Sequence, residues 1–369
     1  MLNYFLILTQ RLSVLNISIL LPFIFMYVIY SFFKKNIKIS IKTSVVFLLL
    51  IASEIISYLY NIKTASISSL SLFVVLYSLF IFNFKDKISS SKFMVSYNKI
   101  MFFIAFISIV LFFSQGIIGN TFLIMDDIIQ SDFLIGGYNT TYETSYGNGI
   151  YKNNGLFFLE PSFFSQFLAL AIMIETLYLK NKKRMVVYYV AIFTSYSGTG
   201  ILMLLVFYFY LLNKLNLGKK LLLLLFLFFI SVIIYSVLPE MFSRIFEIQS
   251  SGSSAFIRFV SPFIYMTEFL NNANLTNILL GLGSGNADNL SLYTKNIHFE
   301  TNFFTLSKLI IEYGFIGTIF FVLFLYTLLR KNMNIIIFVL LFKYMLLSGA
   351  LLEIQTVLFI FFITKLIKW

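Results

Sequence analysis

Lys99-Ile100-Met101-Phe102-Phe103-Ile104-Ala105-Phe106-Ile107-Ser108-Ile109-Val110-Leu111-Phe112-Phe113-Ser114-Gln115-Gly116-Ile117-Ile118-Gly119 is the stretch that decides the fold class. Lys99 closes a basic link, and residues 100–119 after it carry no charge. As a helix rising about 1.5 Å per residue, such a run spans about 30 Å, the thickness of bilayer hydrocarbon. Its isoleucines, valine and phenylalanines would favour a strand in water, but it lacks the apolar–polar alternation of a membrane β-barrel strand. A helix closes its own backbone hydrogen bonds, as a core without water demands. Residues 100–119 read as a transmembrane helix.

The same reading extends along nearly the whole chain, with spans at roughly 13–33, 43–60, 65–84, 100–119, 154–179, 185–212, 221–238, 302–329, 333–348 and 350–365. Hydrophobic residues make up 60% and charged residues 11%, with a mean hydropathy of +0.93; soluble domains carry about a quarter charged residues. The expected fold is all-α: a polytopic transmembrane helical bundle of about ten or eleven membrane helices, one integral membrane domain over residues 1–369. No cysteine is present, which excludes disulfides and thiolate metal sites. Met1 to Arg11 lacks a basic leader and a small-residue cleavage site, so the N-terminus is expected to be retained.

A net charge of +12 would suggest a nucleic-acid partner in a soluble protein. Here the cations are gathered into short links instead, so no nucleic acid is expected. Those links hold Lys34, Lys35, Lys38 and Lys42; Lys85, Lys87, Lys92 and Lys99; Lys180, Lys182, Lys183 and Arg184; Lys214, Lys219 and Lys220; Arg330 and Lys331; and Lys365 and Lys368. Two long links are acidic instead: a first outer loop over 120–152 and a larger one over 239–301. The positive-inside rule puts the basic links in the cytoplasm and the acidic ones outside.

Residues 185–212 break simple alternation, because basic links flank them on both sides. Two full spans do not fit in so short a segment. The polar run Thr194-Ser195-Tyr196-Ser197-Gly198-Thr199-Gly200 lies in its middle. The expectation is a half-length helix pair meeting at that turn, where protein or water covers the exposed backbone. The competing reading is one long tilted helix with Lys214 outside. Leu2 to Leu8 is open to reading as a short extra crossing.

Long outer loops on one side suggest chemistry or recognition on the outer face. In the larger loop, Phe256 to Met266 is apolar and aromatic and reads as an interfacial helix carrying Arg258. Arg244 lies fourteen residues ahead of it. Guanidinium groups hold phosphate by paired hydrogen bonds and stay charged in low dielectric, so both arginines are candidate diphosphate ligands. Snorkelling or surface salt-bridging is the plainer role for either. His298, the single histidine, ends the loop and is the first candidate for a general base. Glu160, in Glu160-Pro161-Ser162, is the second; the alternative is a helix-entry acid favoured by the dipole. Among the other intramembrane charges, Lys308 and Glu312 are spaced to pair along one helix face. Glu175 is placed to snorkel inward, Lys343 and Glu353 to meet across the last outer turn, and Glu54 lacks an evident partner. Gly281-Leu282-Gly283-Ser284-Gly285-Asn286 has no preceding strand and no following lysine, so it reads as a turn and not as a nucleotide loop.

Taken in order, these pieces resemble the Wzy-type polymerases of O-antigen and capsular repeat units, in the O-antigen polymerase and ligase superfamily. The matching segments are Asn154-Gly155-Leu156-Phe157-Phe158-Leu159-Glu160-Pro161-Ser162, the Thr194 to Gly200 turn, the Arg258 helix and the Gly281 to Asn286 turn. His298 through Asn302-Phe303-Phe304 to Glu312-Tyr313-Gly314-Phe315-Ile316-Gly317 completes the pattern. The resemblance implies a multi-pass protein of the bacterial cytoplasmic (inner) membrane with its large loop in the periplasm. It implies a glycosyltransferase that joins polyprenyl-diphosphate-linked repeat units without metal or other cofactor. Arg258 and Arg244 would bind the diphosphate, and His298 or Glu160 would serve as base. Membrane lipid, lipid-linked glycans, a chain-length regulator and a flippase are the partners it implies. An O-antigen ligase acting on lipid A core and a lipid-linked oligosaccharide flippase are the alternatives; a flippase should show the internal repeats that are absent here.

Overall fold

The computed structural model describes residues 2–14, 17–118, 125–138, 140–144, 149–214, 216, 218, 220, 249–287, 290, 299–330 and 332–369. The expected span at 221–238 lies outside them. The helices in chain order are α1 (Leu2–Leu8), α2 (Leu20–Phe33), α3 (Ile41–Tyr60), α4 (Ile67–Ser78), α5 (Ser90–Ile118), α6 (Met125–Ile128), α7 (Pro161–Ile174), α8 (Lys182–Thr194) and α9 (Gly198–Asn213). They continue with α10 (Ser254–Phe259), α11 (Ser261–Asn272), α12 (Leu275–Leu280), α13 (Thr305–Leu329), α14 (Ile335–Phe342) and α15 (Ile354–Phe361). Three short strand pairs fasten links: Ser13–Val14 with Ile17–Ser18, Ile37–Ile39 with Phe82–Phe84, and Ile88–Ser89 with Ile367–Lys368. The fold is all-α, and among the described residues four helices are long and apolar enough to cross a membrane: α3, α5, α7 with its π-helical extension to Leu179, and α13. Shorter apolar helices accompany them at Leu20–Phe33, Ile67–Ile81, Gly198–Asn213, Ile335–Leu347 and Ile354–Leu366. At about 1.5 Å per residue the seven residues of α1 reach only about 10 Å. That is too short for a crossing.

Contacts divide the chain into two compact units. The first holds 1–27, 88–241 and 367–369. Its centre is α7, buried along its whole length and packed by α5, α8 and α9. Polar side chains fasten the seams: the Tyr97 hydroxyl donates to the Phe167 carbonyl at 2.9 Å, Asn98 Nδ2 to Ala171 at 3.2 Å, and the Tyr188 hydroxyl to Asn98 at 2.7 Å. On α5, Phe103, Phe106, Val110, Phe113 and Ile117 recur at helical spacing and are exposed, a stripe suited to lipid. That helix begins at Ser90, ahead of the apolar run, because its first turns lie outside the uncharged stretch.

The half-length pair is present. Helix α8 ends at Thr194, α9 starts at Gly198, and Tyr196 between them takes φ +47°. The hydroxyls of Tyr189 and Tyr208 are hydrogen-bonded, so α9 returns alongside α8. With 13 and 16 residues, the helices span about 20 and 24 Å.

The second unit holds 28–87 and 242–366 and is centred on α13, which packs on α3 and α12. The buried side of α3 carries Phe47, Leu50, Ser53, Glu54 and Ser57. The expected single interfacial helix is two, α10 and α11, parted at Val260. Pro262 starts the second, since a proline ring does not fit a helix interior. Ser253, Asn274 and Asn334 cap α10, α12 and α14 by accepting from the N–H groups of Phe256, Asn277 and Ile337.

Candidate functional site

In the first unit, a polar cluster forms where the α8–α9 turn meets the start of α7. Residues 153–160 form turns, with positive φ at Gly155 and Leu156, and they are tied to the α8–α9 turn by Asn153. Its N–H donates to the Thr194 carbonyl at 3.1 Å, and its Nδ2 donates to Thr194 Oγ1 at 2.9 Å. Glu160 takes an extended conformation just before Pro161, in the N-cap position of α7, with no capping bond from its side chain. Its Oε2 instead accepts from the Ser162 hydroxyl at 3.1 Å. One turn further on, Ser165 Oγ donates to Ser197 Oγ at 3.1 Å and lies 3.2 Å from Thr199 Oγ1. The Gly200 N–H donates back to Ser165 Oγ at 3.2 Å. A Cβ at Gly200 would sit 2.4 Å from the Ser165 carbonyl oxygen, so only glycine allows this approach. Glu160 is half-buried at the rim of this cluster.

In the second unit, α10 and α11 pack on residues 299–304. Asn302 N donates to the Ile257 carbonyl at 3.0 Å, and the Tyr265 hydroxyl to the Phe299 carbonyl at 2.7 Å. Phe256 and Phe299 meet edge to face at 5.0 Å, and burial pushes up the pKa of the Tyr265 phenol. Arg258 is half-buried in the last turn of α10, one residue beyond Ile257. Behind them the Gly281 to Asn286 segment is a turn locked onto α13. Leu282 and Gly283 N–H groups donate to the Ile311 and Glu312 carbonyls, both at 2.8 Å. The α3–α4 link holds its other side: Asn61 Nδ2 donates to Gly281 O at 3.1 Å, and Ser66 N to Ser284 O at 2.8 Å. Helix α13 is kinked there, at Gly314 with φ 64° and ψ −172°.

Glu160 thus belongs to the first unit and Arg258 to the second, while Arg244 and His298 lie outside the described residues. The Lys308–Glu312 pair is present at 3.7 Å. Lys343 and Glu353 join through Thr356, which accepts from Lys343 Nζ at 3.2 Å and donates to Glu353 Oε2 at 2.5 Å. Glu175 does not snorkel: it is fully buried, paired with Arg184 at 3.5 Å and bonded by the Asn181 N–H at 3.0 Å. The α8 N-terminus folds back over it and covers it. Ser162 belongs to the Glu160-Pro161-Ser162 motif, whereas the sequence reading misses Ser165, whose signal is its i,i+3 spacing from Ser162.

The family model for the WcaD colanic acid polymerases matches residues 1–369. No curated protein and no solved structure matches the chain. A match over the full length, on a polytopic helical fold, makes this chain a membrane protein of polysaccharide biosynthesis and a member of the WcaD colanic acid polymerase family.

Proposed function

We propose that the chain joins polyprenyl-diphosphate-linked oligosaccharide repeat units into an exported polysaccharide at the outer face of the bacterial cytoplasmic membrane. The whole-chain family match carries this reading, and colanic acid, the polymer in the family's name, is the candidate product. In the transfer, the bond between the donor's anomeric carbon and its diphosphate oxygen breaks. A bond from that carbon to an acceptor hydroxyl forms, the hydroxyl proton passes to a base, and polyprenyl diphosphate leaves. Charge develops on the leaving diphosphate, where fixed cations stabilise it most effectively. Arg258 is assigned that role, with Arg244 as its companion, and the step needs no metal. Support comes from the short α10 helix, which the Asn302–Ile257 hydrogen bond holds against residues 299–304. A guanidinium carried on a backbone held in this way offers the paired donors that bidentate phosphate contact needs. His298 is the first candidate base and Glu160 the second.

The test uses cells lacking their own copy, complemented with wild type, Arg258→Ala, Arg258→Lys or His298→Ala, and glycan length is read on a gel. Arg258→Ala should collapse the ladder to single repeats, and Arg258→Lys should leave short chains, because an ammonium lacks the fork geometry. A full-length ladder from stably expressed Arg258→Ala protein sinks the diphosphate assignment. Loss of single-repeat capping together with chain lengthening would point to a ligase. Wild-type ladders from His298→Ala would leave Glu160 as the base to test.

A further inference from the structure

Beyond α15 the second unit gathers cations without an acid. Lys365 lies in the π-helical segment Phe362–Leu366 that continues α15. It is only 5% exposed, and its Nζ donates to Asn83 Oδ1 at 3.1 Å. Asn83 belongs to the strand pair of Ile37–Ile39 with Phe82–Phe84, directly opposite Lys38. Opposed residues of an antiparallel pair share a face, with Cβ atoms about 4.5–5.5 Å apart, so Lys38 stands beside Asn83. Lys87 is half-buried within electrostatic range of Lys365, and burial lowers its pKa. Among the described residues, Asn83 Nδ2 makes no hydrogen bond and no carboxylate pairs with any of the three lysines. Asp86, next to Lys87 in sequence, is exposed, donates its N–H to Asn36 Oδ1 and lies in range of Lys34.

A lysine near a helix C-terminus is drawn there by the dipole, but that end carries only about half a negative charge. It does not account for three cations around one amide. A charge withdrawn from water is kept only with a counter-charge. We propose that Lys365, Lys38, Lys87 and the Asn83 amide form a site for a phosphate group, supplied by the headgroup of an anionic phospholipid. The free groups of this set are all donors, and a phosphate brings both the negative charge and several acceptor oxygens. The position favours lipid as the source. The apolar helix Ile354–Leu366 carries Lys365 in its last turn, and basic pockets at the ends of membrane helices take lipid headgroups. The same donors would accept free phosphate, so the two sources are separated by experiment. The inference uses none of the residues assigned to the transfer and is independent of that chemistry.

The experiment follows thermal unfolding of the purified full-length protein in detergent. Dioleoyl phosphatidylglycerol is titrated against dioleoyl phosphatidylcholine, and sodium phosphate against sodium chloride at equal ionic strength. For wild type, each tenfold rise in phosphatidylglycerol above the dissociation constant should multiply the folded-to-unfolded ratio about tenfold, with no such gain from phosphatidylcholine. Lys365→Met, which keeps an apolar stem, should lose that gain. The double variant Lys38→Gln with Lys87→Gln should lose it too. Lys182→Gln, an exposed lysine of another basic link, should keep it and so reads the background. An equal gain from sodium phosphate overturns the lipid source and leaves a site for soluble phosphate. A phosphatidylglycerol response of Lys365→Met that superimposes on that of wild type overturns the site, as does a wild type indifferent to both phosphatidylglycerol and phosphate. If Lys365→Met does not fold, a full wild-type response in the double variant overturns it instead.

Discussion

Two glycines of the α8–α9 turn offer a matched pair of substitutions. Gly198 and Gly200 both lie in the first turn of α9, and neither has positive φ. A methyl group at Gly198 meets nothing within 4 Å, whereas at Gly200 it falls 2.4 Å from the Ser165 carbonyl oxygen and 2.8 Å from Ser165 Cβ. Forcing an extra carbon into packed backbone costs about 1–3 kcal/mol. Displacing Ser165 also endangers the Gly200 N–H to Ser165 Oγ bond, about 1 kcal/mol more. Replacing glycine by alanine in a helix returns about 1 kcal/mol at either position. Gly200→Ala should therefore destabilise the first unit by about 1–3 kcal/mol, and Gly198→Ala should be neutral or mildly stabilising. Thermal unfolding in detergent reads the difference, at about 2–4 °C per kcal/mol for a body of this size. The glycan ladder, read in parallel, should shorten for Gly200→Ala and stay unchanged for Gly198→Ala. Equal melting and equal ladders for the two variants would refute the close approach of α9 to Ser165, and with it the turn as a built part of the cluster.

Gly314→Ala should be more severe than either. The residue sits in a backbone region essentially reserved for glycine, at about 1–3 kcal/mol of strain for any other side chain, and its Cβ would lie 2.3 Å from the Leu279 carbonyl oxygen. Loss of folded protein in fluorescence-detected size exclusion checks it, with Gly136→Ala, which meets nothing within 4 Å, as the neutral control. Arg184→Ala should lower the melting temperature by the equivalent of roughly 1.5–3 kcal/mol, the range for a hydrogen bond to a charged group. Adding Glu175→Gln to it should recover most of that loss, since the buried acid no longer needs its cation; a double mutant no better than Arg184→Ala would show that the pair is not coupled.

The four long spans among the described residues were legible because a bilayer imposes one requirement that side chains alone can meet, a long uncharged helix. The α8–α9 break was legible for a similar reason: basic links on both sides and a polar run between them favour a turn over one long tilted helix across residues 185–212. What hydropathy does not register is a helix continuing beyond the oil, so α5 starts at Ser90 while its apolar run starts at Ile100. It also missed that Asn153 to Glu160 forms turns ahead of α7, tied to Thr194 far along the chain. Glu54 gave no clue to its surroundings because Glu312, within electrostatic range of it, lies on another helix 258 residues later.

The motifs behind the resemblance turn out to work in pairs. Residues 153–165 grip 194–200, and 277–287 grip 311–314, each pair closed at a glycine where a Cβ has no room. Side chains in the first clasp are committed to it: Asn153 bonds to Thr194 at the end of α8, and Ser165 and Thr199 join α7 to α9. Under the proposed function, the substrate is met by charged side chains outside the clasps' own hydrogen bonds. Glu160, in the N-cap position of α7, and Arg258, in the last turn of α10, are the two proposed site residues that are described, and both are half-buried. Rigid support beneath a partly exposed charge is what a transferase needs, because fixed groups do not have to reorganise as the transition state forms. On this reasoning, substitutions within the clasps should lower activity together with stability, and substitutions at Glu160 or Arg258 should lower activity alone.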